Sequence, residues 1–191
     1  MSKYKLGVVV GSNRKESINR KLAQALVGLG SGAFDAKFIR IDDLPIYNQD
    51  NEQPLSAPVA RMKAEIEAAD AILFVTAEHS RSIPAVLKNA IDWGARPYGK
   101  NSWAGKPAAV TGTTGGAIST AVAQTHLRAV LNSGVGMHVL GGEAYIQFKP
   151  ELIDAAGNVA DEGVRKFLNG FIDQFAAFGA RFAPQRTAAA A

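Results

Sequence analysis

The stretch Leu6-Gly7-Val8-Val9-Val10-Gly11-Ser12-Asn13-Arg14-Lys15-Glu16-Ser17-Ile18-Asn19 runs from an unbroken apolar strand into hydroxyl, amide and guanidinium groups just before a helical pattern begins. A helix N-terminus leaves backbone N–H groups unpaired and carries a partial positive charge, so a phosphate placed there gains hydrogen bonds and a favourable dipole. Ser12, Ser17 and Asn19 offer side-chain hydrogen bonds, and Arg14 offers a charged fork. Ser17 also has the chemistry of a helix N-cap. Two common phosphate loops do not fit. The residue two after Gly11 is Asn13, which excludes a G-x-G-x-x-G turn, and Lys15-Glu16 lacks the second Gly of a P-loop. The remaining donors suit a single phosphomonoester better than a pyrophosphate or a magnesium triphosphate.

Outward from this stretch, apolar runs recur at Leu6–Val10, Phe38–Ile41, Ala71–Val75, Ala108–Thr111 and Met137–Leu140. Between them stand patterns of helical period: Leu22, Leu26 and Leu29; Val59, Met62 and Ile66; Leu87, Ala90 and Ile91; and a last run containing Phe167, Phe171, Phe175, Phe178 and Phe182. Ile118 to Leu131 forms a less regular helical segment. Strands apolar throughout imply a parallel sheet buried on both faces. Right-handed crossovers then favour a flavodoxin-like, doubly wound, five-stranded sheet of order 2-1-3-4-5, with ligands bound outside the carboxyl ends of its strands. The loops Gly11–Asn19, Thr76–Pro84 and Gly112–Ala117 converge there.

The chain has 191 residues, 47% of them hydrophobic, and no composition break. It is expected to form one domain over 1–183, followed by a disordered tail over 184–191. Zero Cys removes disulfides, thiolate metal sites and cysteine nucleophiles, and favours a cytoplasmic location. No apolar run exceeds strand length, so no membrane segment is expected. The net charge of +4 is scattered and interleaved with acids, as in Arg61-Met62-Lys63-Ala64-Glu65-Ile66-Glu67, which argues against nucleic acid and for a modest pull on anionic small molecules. His79, His126 and His138 have no metal-ligand spacing, so no metal site is expected. No G-x-S-x-G elbow supports a hydrolase.

The third loop, Gly112-Thr113-Thr114-Gly115-Gly116-Ala117, can bring its backbone close to a flat ligand. The second, Thr76-Ala77-Glu78-His79-Ser80-Arg81-Ser82-Ile83-Pro84, is polar and stiffened by Pro84. A phosphate socket beside two such loops matches the parts of FMN. With Asp43-Leu44-Pro45-Ile46-Tyr47-Asn48, Leu87-Lys88-Asn89-Ala90-Ile91-Asp92-Trp93 and Ala104-Gly105-Lys106-Pro107, the chain resembles the NADPH-dependent FMN reductase family, in particular its quinone, chromate and azo-dye reductase members, over residues 4–182.

The resemblance implies that FMN phosphate binds Ser12, Asn13, Arg14, Ser17, Ile18 and Asn19. It places the flavin ring against Ala77, Glu78, His79, Ser80 and Ile83 on one side and Thr114, Gly115 and Gly116 on the other. It implies ping-pong turnover: NADPH or NADH delivers hydride to flavin N5 and leaves, and a small-molecule acceptor then takes two electrons. Quinones are the expected acceptors, with chromate and other metal oxyanions, azo dyes and free flavin beside them. The chemistry belongs to the flavin, so no catalytic side chain is nominated. Arg81, Arg96 and Lys100 are the expected substrate contacts, and a homodimer or homotetramer is the expected assembly. A flavodoxin-like electron carrier, which the basic charge disfavours, or a flavin-binding module is the alternative, each without NAD(P)H turnover. Most family members read Pro-Glu-Tyr-Asn where this chain has Ala77-Glu78-His79-Ser80, so the seating of the ring is expected to differ.

Overall fold

Strand β1 (Tyr4–Gly11) is the pivot of the sheet, pairing in parallel with β2 (Phe34–Phe38) on one side and β3 (Ala71–Thr76) on the other. Strand β4 (Pro107–Thr114) pairs with β3 and carries two short partners, β5 (His138–Val139) at its start and β6 (Tyr145–Gln147) at its end. The order is therefore β2-β1-β3-β4-β5, the expected five-stranded doubly wound path, with β6 as an addition. These relations come from a computed structural model that describes residues 3–182. The expected tail, 184–191, lies outside the described residues.

Side chains alternate through the central strands into two cores. Leu6, Val8 and Val10 pack with Leu73 and Val75 against α1 (Ile18–Leu29) and α5 (Glu162–Gly179), where Leu22, Leu26, Phe171 and Phe175 are buried. Val9, Ile72, Phe74 and Val110 pack on the opposite face against α2 (Ala57–Ala68), α3 (Ala85–Ala95) and α4 (Ala121–Ala129). Both faces are covered, which is why these strands read as continuous apolar runs. Full burial of a Leu, Ile, Val or Phe side chain stabilises by roughly 1.5–3 kcal/mol, so the two cores supply the main driving force.

Three local readings differ from the sequence expectations. The second strand is Phe34–Phe38 rather than Phe38–Ile41. As an edge strand it alternates in burial, and the more apolar Ile39 and Ile41 serve the core as the chain leaves the sheet. The fifth strand is split because Arg128 draws the connecting segment inward. Its guanidinium donates to the carbonyls of Leu140, Gly142 and Val110, closing 140–142 against β4 instead of continuing a strand. In α5 the stripe runs through Leu168, Phe171 and Phe175, whereas Phe167 is half exposed and Phe182 stacks on His138 at 4.4 Å between ring centroids.

Gly112 is required by the close approach of β4 to the end of β3. A Cβ there would lie 2.0 Å from the Thr76 carbonyl oxygen, a backbone atom that cannot move aside cheaply. Gly112→Ala is expected to destabilise the fold by about 1–3 kcal/mol, read as a lower urea midpoint at unchanged m-value.

Candidate functional site

The first loop folds as a socket of donors. Ser17 caps α1, its Oγ accepting from Arg20 N–H at 3.2 Å, and Ser12 Oγ accepts from Arg14 N–H at 3.4 Å. The backbone N–H groups of Ile18 and Asn19 belong to the first turn of α1, where the helix supplies no acceptor. Those of Asn13 and Lys15 have no backbone acceptor among the described residues. Arg14 is exposed and forms no ion pair among the described residues, leaving its guanidinium beside these donors.

Asn19 has a different job from the one its side chain suggested. It is buried, and its Nδ2 donates to Thr113 O at 3.0 Å while its Oδ1 accepts from Thr113 N–H at 2.9 Å. The β3–β4 ladder ends at Thr76–Gly112, so Thr113 is the first β4 residue beyond it. The Asn19 amide stands in for the missing strand partner. Its side chain is therefore spent on β4, and the group it can still offer a phosphate is its backbone N–H. Nothing in the local sequence around either residue signalled this pairing across 94 positions.

The loop after β3 closes as a tight turn. His79 and Ser82 exchange both backbone hydrogen bonds at 2.9 Å, with Ser80 and Arg81 between them at φ 50° and 62°. Positive φ at both central positions defines a type I′ turn, which favours Asn and Gly and strains other residues. Glu78 ties this turn to the opposite helix. One carboxylate oxygen accepts from Ala123 N–H at 3.0 Å, in the first turn of α4, and the other accepts from Arg81 at 2.9 Å. Ser82 Oγ and His126 Nδ1, 2.8 Å apart, add a second tie. His126 on α4 is thus a contact that the sequence left unassigned.

Between this turn and the loop after β4 lies a hollow of about 530 Å³, lined by Glu78, Ser80, Arg81, Thr114, Gly116 and Ile118, among others. Gly116 presents bare backbone to it, where a Cβ would reach only Thr114 Oγ1 at 3.5 Å, and a Cβ on the preceding Gly115 would meet nothing within 4 Å. Gly116 N–H donates to Thr114 Oγ1 at 3.1 Å. Ile83 is buried in the core beneath the turn, Ala77 is half-buried within it, and His79 is exposed.

Of the expected substrate contacts, Arg81 lines this hollow, held by Glu78, and Arg96 and Lys100 lie outside its lining. Helix α3 starts at the site and runs about 16 Å away from it, carrying both residues past its far end. There Arg96 donates to Glu52 at 2.5 Å, and Tyr47 donates to the same oxygen at 2.7 Å. These two hydrogen bonds, led by that from Arg96, hold the Glu52 carboxyl below its ordinary range. The Lys100 carbonyl accepts from Lys63 at 2.7 Å.

A family model described as NADPH-dependent FMN reductase matches residues 4–151. The chain belongs to this family. It is 44% identical over 174 residues to a 2-hydroxy-1,4-benzoquinone reductase of a Burkholderia species, covering 91% of this chain and 95% of that protein. It is 45% identical over 177 residues to a quinone reductase of Pseudomonas putida, covering 92% and 94%. Among solved structures it is similar to a flavoenzyme NAD(P)H:(acceptor) oxidoreductase from Paracoccus denitrificans, with a TM-score of 0.90 and 45% identity over 94% of this chain and 98% of that one.

Membership of the FMN reductase family brings FMN as cofactor and NAD(P)H as electron donor. The residues present fit FMN: unpaired N–H groups and a free guanidinium suit its phosphate, and a hollow with a glycine wall suits a planar ring.

Asn19→Ala leaves the Thr113 N–H and carbonyl buried without partners, at an expected cost of about 2–4 kcal/mol, and should weaken FMN binding measured by flavin fluorescence. Ser80→Asn places a residue suited to positive φ in the turn, and should stabilise the protein by about 0.5–1 kcal/mol in the same denaturation assay.

Proposed function

We propose that this FMN reductase family member oxidises NAD(P)H and passes two electrons to quinones, one acceptor molecule at a time, over a single open face of the flavin. The observation that carries the reading is the convergence of the donor socket after β1 and the glycine-walled hollow between the loops after β3 and β4. The names of the relatives support quinones as the acceptor class. Chromate, azo dyes and free flavin follow as further acceptors of the same open face. The cysteine-free composition supports a cytoplasmic setting. Among the described residues no helix is long and apolar enough to cross a membrane.

FMN, when bound, supplies hydride acceptance and two-electron release at its ring. The chain supplies position and charge. Arg14, Ser12 and Ser17, with the backbone N–H groups of Ile18 and Asn19, hold the phosphate and fix where the ring can lie. Ala77, Glu78, His79, Ser80 and Ile83 form one side of the ring seat, and Thr114, Gly115 and Gly116 form the other. The N–H groups of this second side stabilise negative charge gathering on the ring edge nearest them. Because Gly116 N–H is held by Thr114 Oγ1, presenting it to the ring requires the threonine to turn away. His79 replaces a larger aromatic of the family and leaves the seat wider, which suits acceptors of varied outline.

A homodimer or homotetramer is supported by the apolar residues exposed on and before α4. Ile118 is 52% and Val122 is 39% exposed, an unusual level for such side chains beside a site.

Purified protein loaded with FMN should show an oxidised-flavin spectrum that bleaches on NADPH addition without oxygen and recovers on adding 1,4-benzoquinone. Bleaching that fails would defeat the reductase reading and leave an electron carrier. Arg14→Ala should raise the FMN dissociation constant by about tenfold or more, since a charge-assisted phosphate contact is lost.

A further inference from the structure

A second cavity adjoins the phosphate socket on the side away from the ring. It occupies about 390 Å³ between the loop after β1 and the segment leaving β2, with Arg14, Lys15, Arg20, Arg40, Phe38 and Asp42 among its lining residues. The sheet order fixes its relation to the cofactor site. β3 and β4, whose loops seat the ring, lie on one side of β1, and β2 lies on the other. Ring hollow, phosphate socket and second cavity therefore succeed one another along the same edge of the sheet. Ser12, Asn13 and Arg14 belong to both the socket and the cavity.

Its chemistry is uneven in a way that selects a ligand. Four cationic side chains face one carboxylate, that of Asp42. Arg40 is satisfied by that carboxylate at 2.8 Å and leans toward Asp43 at 3.8 Å. Arg14 and Lys15 have no ion pair among the described residues, and the Arg20 guanidinium sits 6.0 Å from the centre of the Phe38 ring. Other surface cations are held in ion pairs, as in Arg61 with Asp43 and Glu65, and Lys88 with Asp92. Beneath the cationic rim the lining is apolar, with Val10, Ile39 and Ile41 all buried. A small inorganic anion would use the rim and leave the apolar wall idle. A planar base bearing phosphate uses both, with the base against the apolar wall and Phe38, and phosphate oxygens on the arginine forks.

We propose that this cavity binds the phosphorylated adenosine half of a dinucleotide whose other half lies at the flavin. The proposal rests on the reading that the Gly11–Asn19 loop holds the FMN phosphate. Two sources share the chemistry: the 2′-phosphoadenosine of NADPH, and the adenylate of FAD bound in place of FMN. Such a cavity gives a site with an open ring face a means to distinguish a phosphorylated nicotinamide dinucleotide, because the extra phosphate is read beside the socket and away from the ring.

Arg20→Gln and Arg40→Gln remove charge while keeping side-chain length. Titration calorimetry of the FMN-loaded enzyme with 2′,5′-ADP and with 5′-AMP at low ionic strength should show binding. Either substitution should weaken it about fivefold or more, with FMN content and melting temperature unchanged. A rise in KM for NADPH with KM for NADH nearly constant identifies NADPH as the source. Loss in the variants of a wild-type affinity advantage of FAD over FMN identifies FAD. Absence of binding by both probes, or binding equal in wild type and both variants, overturns the proposal. The same titration on FMN-free protein separates the two readings: adenylate binding there with no uptake of FMN would strike the cofactor assignment and leave the cavity standing.

Discussion

The reciprocal hydrogen bonds between the Asn19 side chain and the Thr113 backbone join the start of α1 to the end of β4. A parallel sheet has ragged ends, and where β3 stops one residue short of Thr113, a buried N–H and carbonyl would otherwise be stranded. Satisfying both with one amide fixes two loops relative to each other. The loop after β1 holds donors for a phosphate, and the loop after β4 walls the ring hollow. Their separation sets the size of ligand the edge can span. With the Asn19 side chain engaged on β4, the first backbone N–H groups of α1 remain without an acceptor from the helix itself.

The loop after β3 is positioned by different means. Glu78 reaches across to the first turn of α4, where a carboxylate is favoured by the unpaired N–H groups and the helix dipole. Arg81 balances its charge at the rim. This arrangement forces Ser80 and Arg81 into positive φ, a conformation that strains both residues and would suit Asn and Gly better. The family's Asn at the position of Ser80 has a direct physical rationale in this turn. The turn is held from both ends, by the His79–Ser82 bridge and by the Glu78 tie to α4.

Much of this was legible from residues alone. Continuous apolar runs separated by helical periods implied a sheet covered on both faces, and the structure has that sheet in the expected order. The polar stretch before α1 and the glycines after β4 lie at one edge, as the topology requires. Phe38–Ile41 misled because hydrophobicity marks burial, and Ile39 and Ile41 are buried after the strand has ended. Arg96 and Lys100 follow a site loop closely in sequence and still fall outside the lining of its hollow, because a helix of three turns intervenes. The splitting of the fifth strand was hidden because it is imposed by Arg128, a side chain on another element.

Local chemistry, namely residue types, their period and their order, was sufficient to give the fold class and the edge of the sheet at which the three loops meet. It could not say which atoms of those residues are free. Asn19 and Arg14 look alike as phosphate partners in the sequence, yet one amide is consumed by a strand end 94 residues away and one guanidinium is left exposed. The cavity beside the socket likewise needs β2 to lie against β1 before Arg20, Phe38 and Arg40 face a common space. Hydrogen bonds are exclusive, and distant pairing assigns them, so the free donors of a site become known only after the buried groups around it have taken theirs.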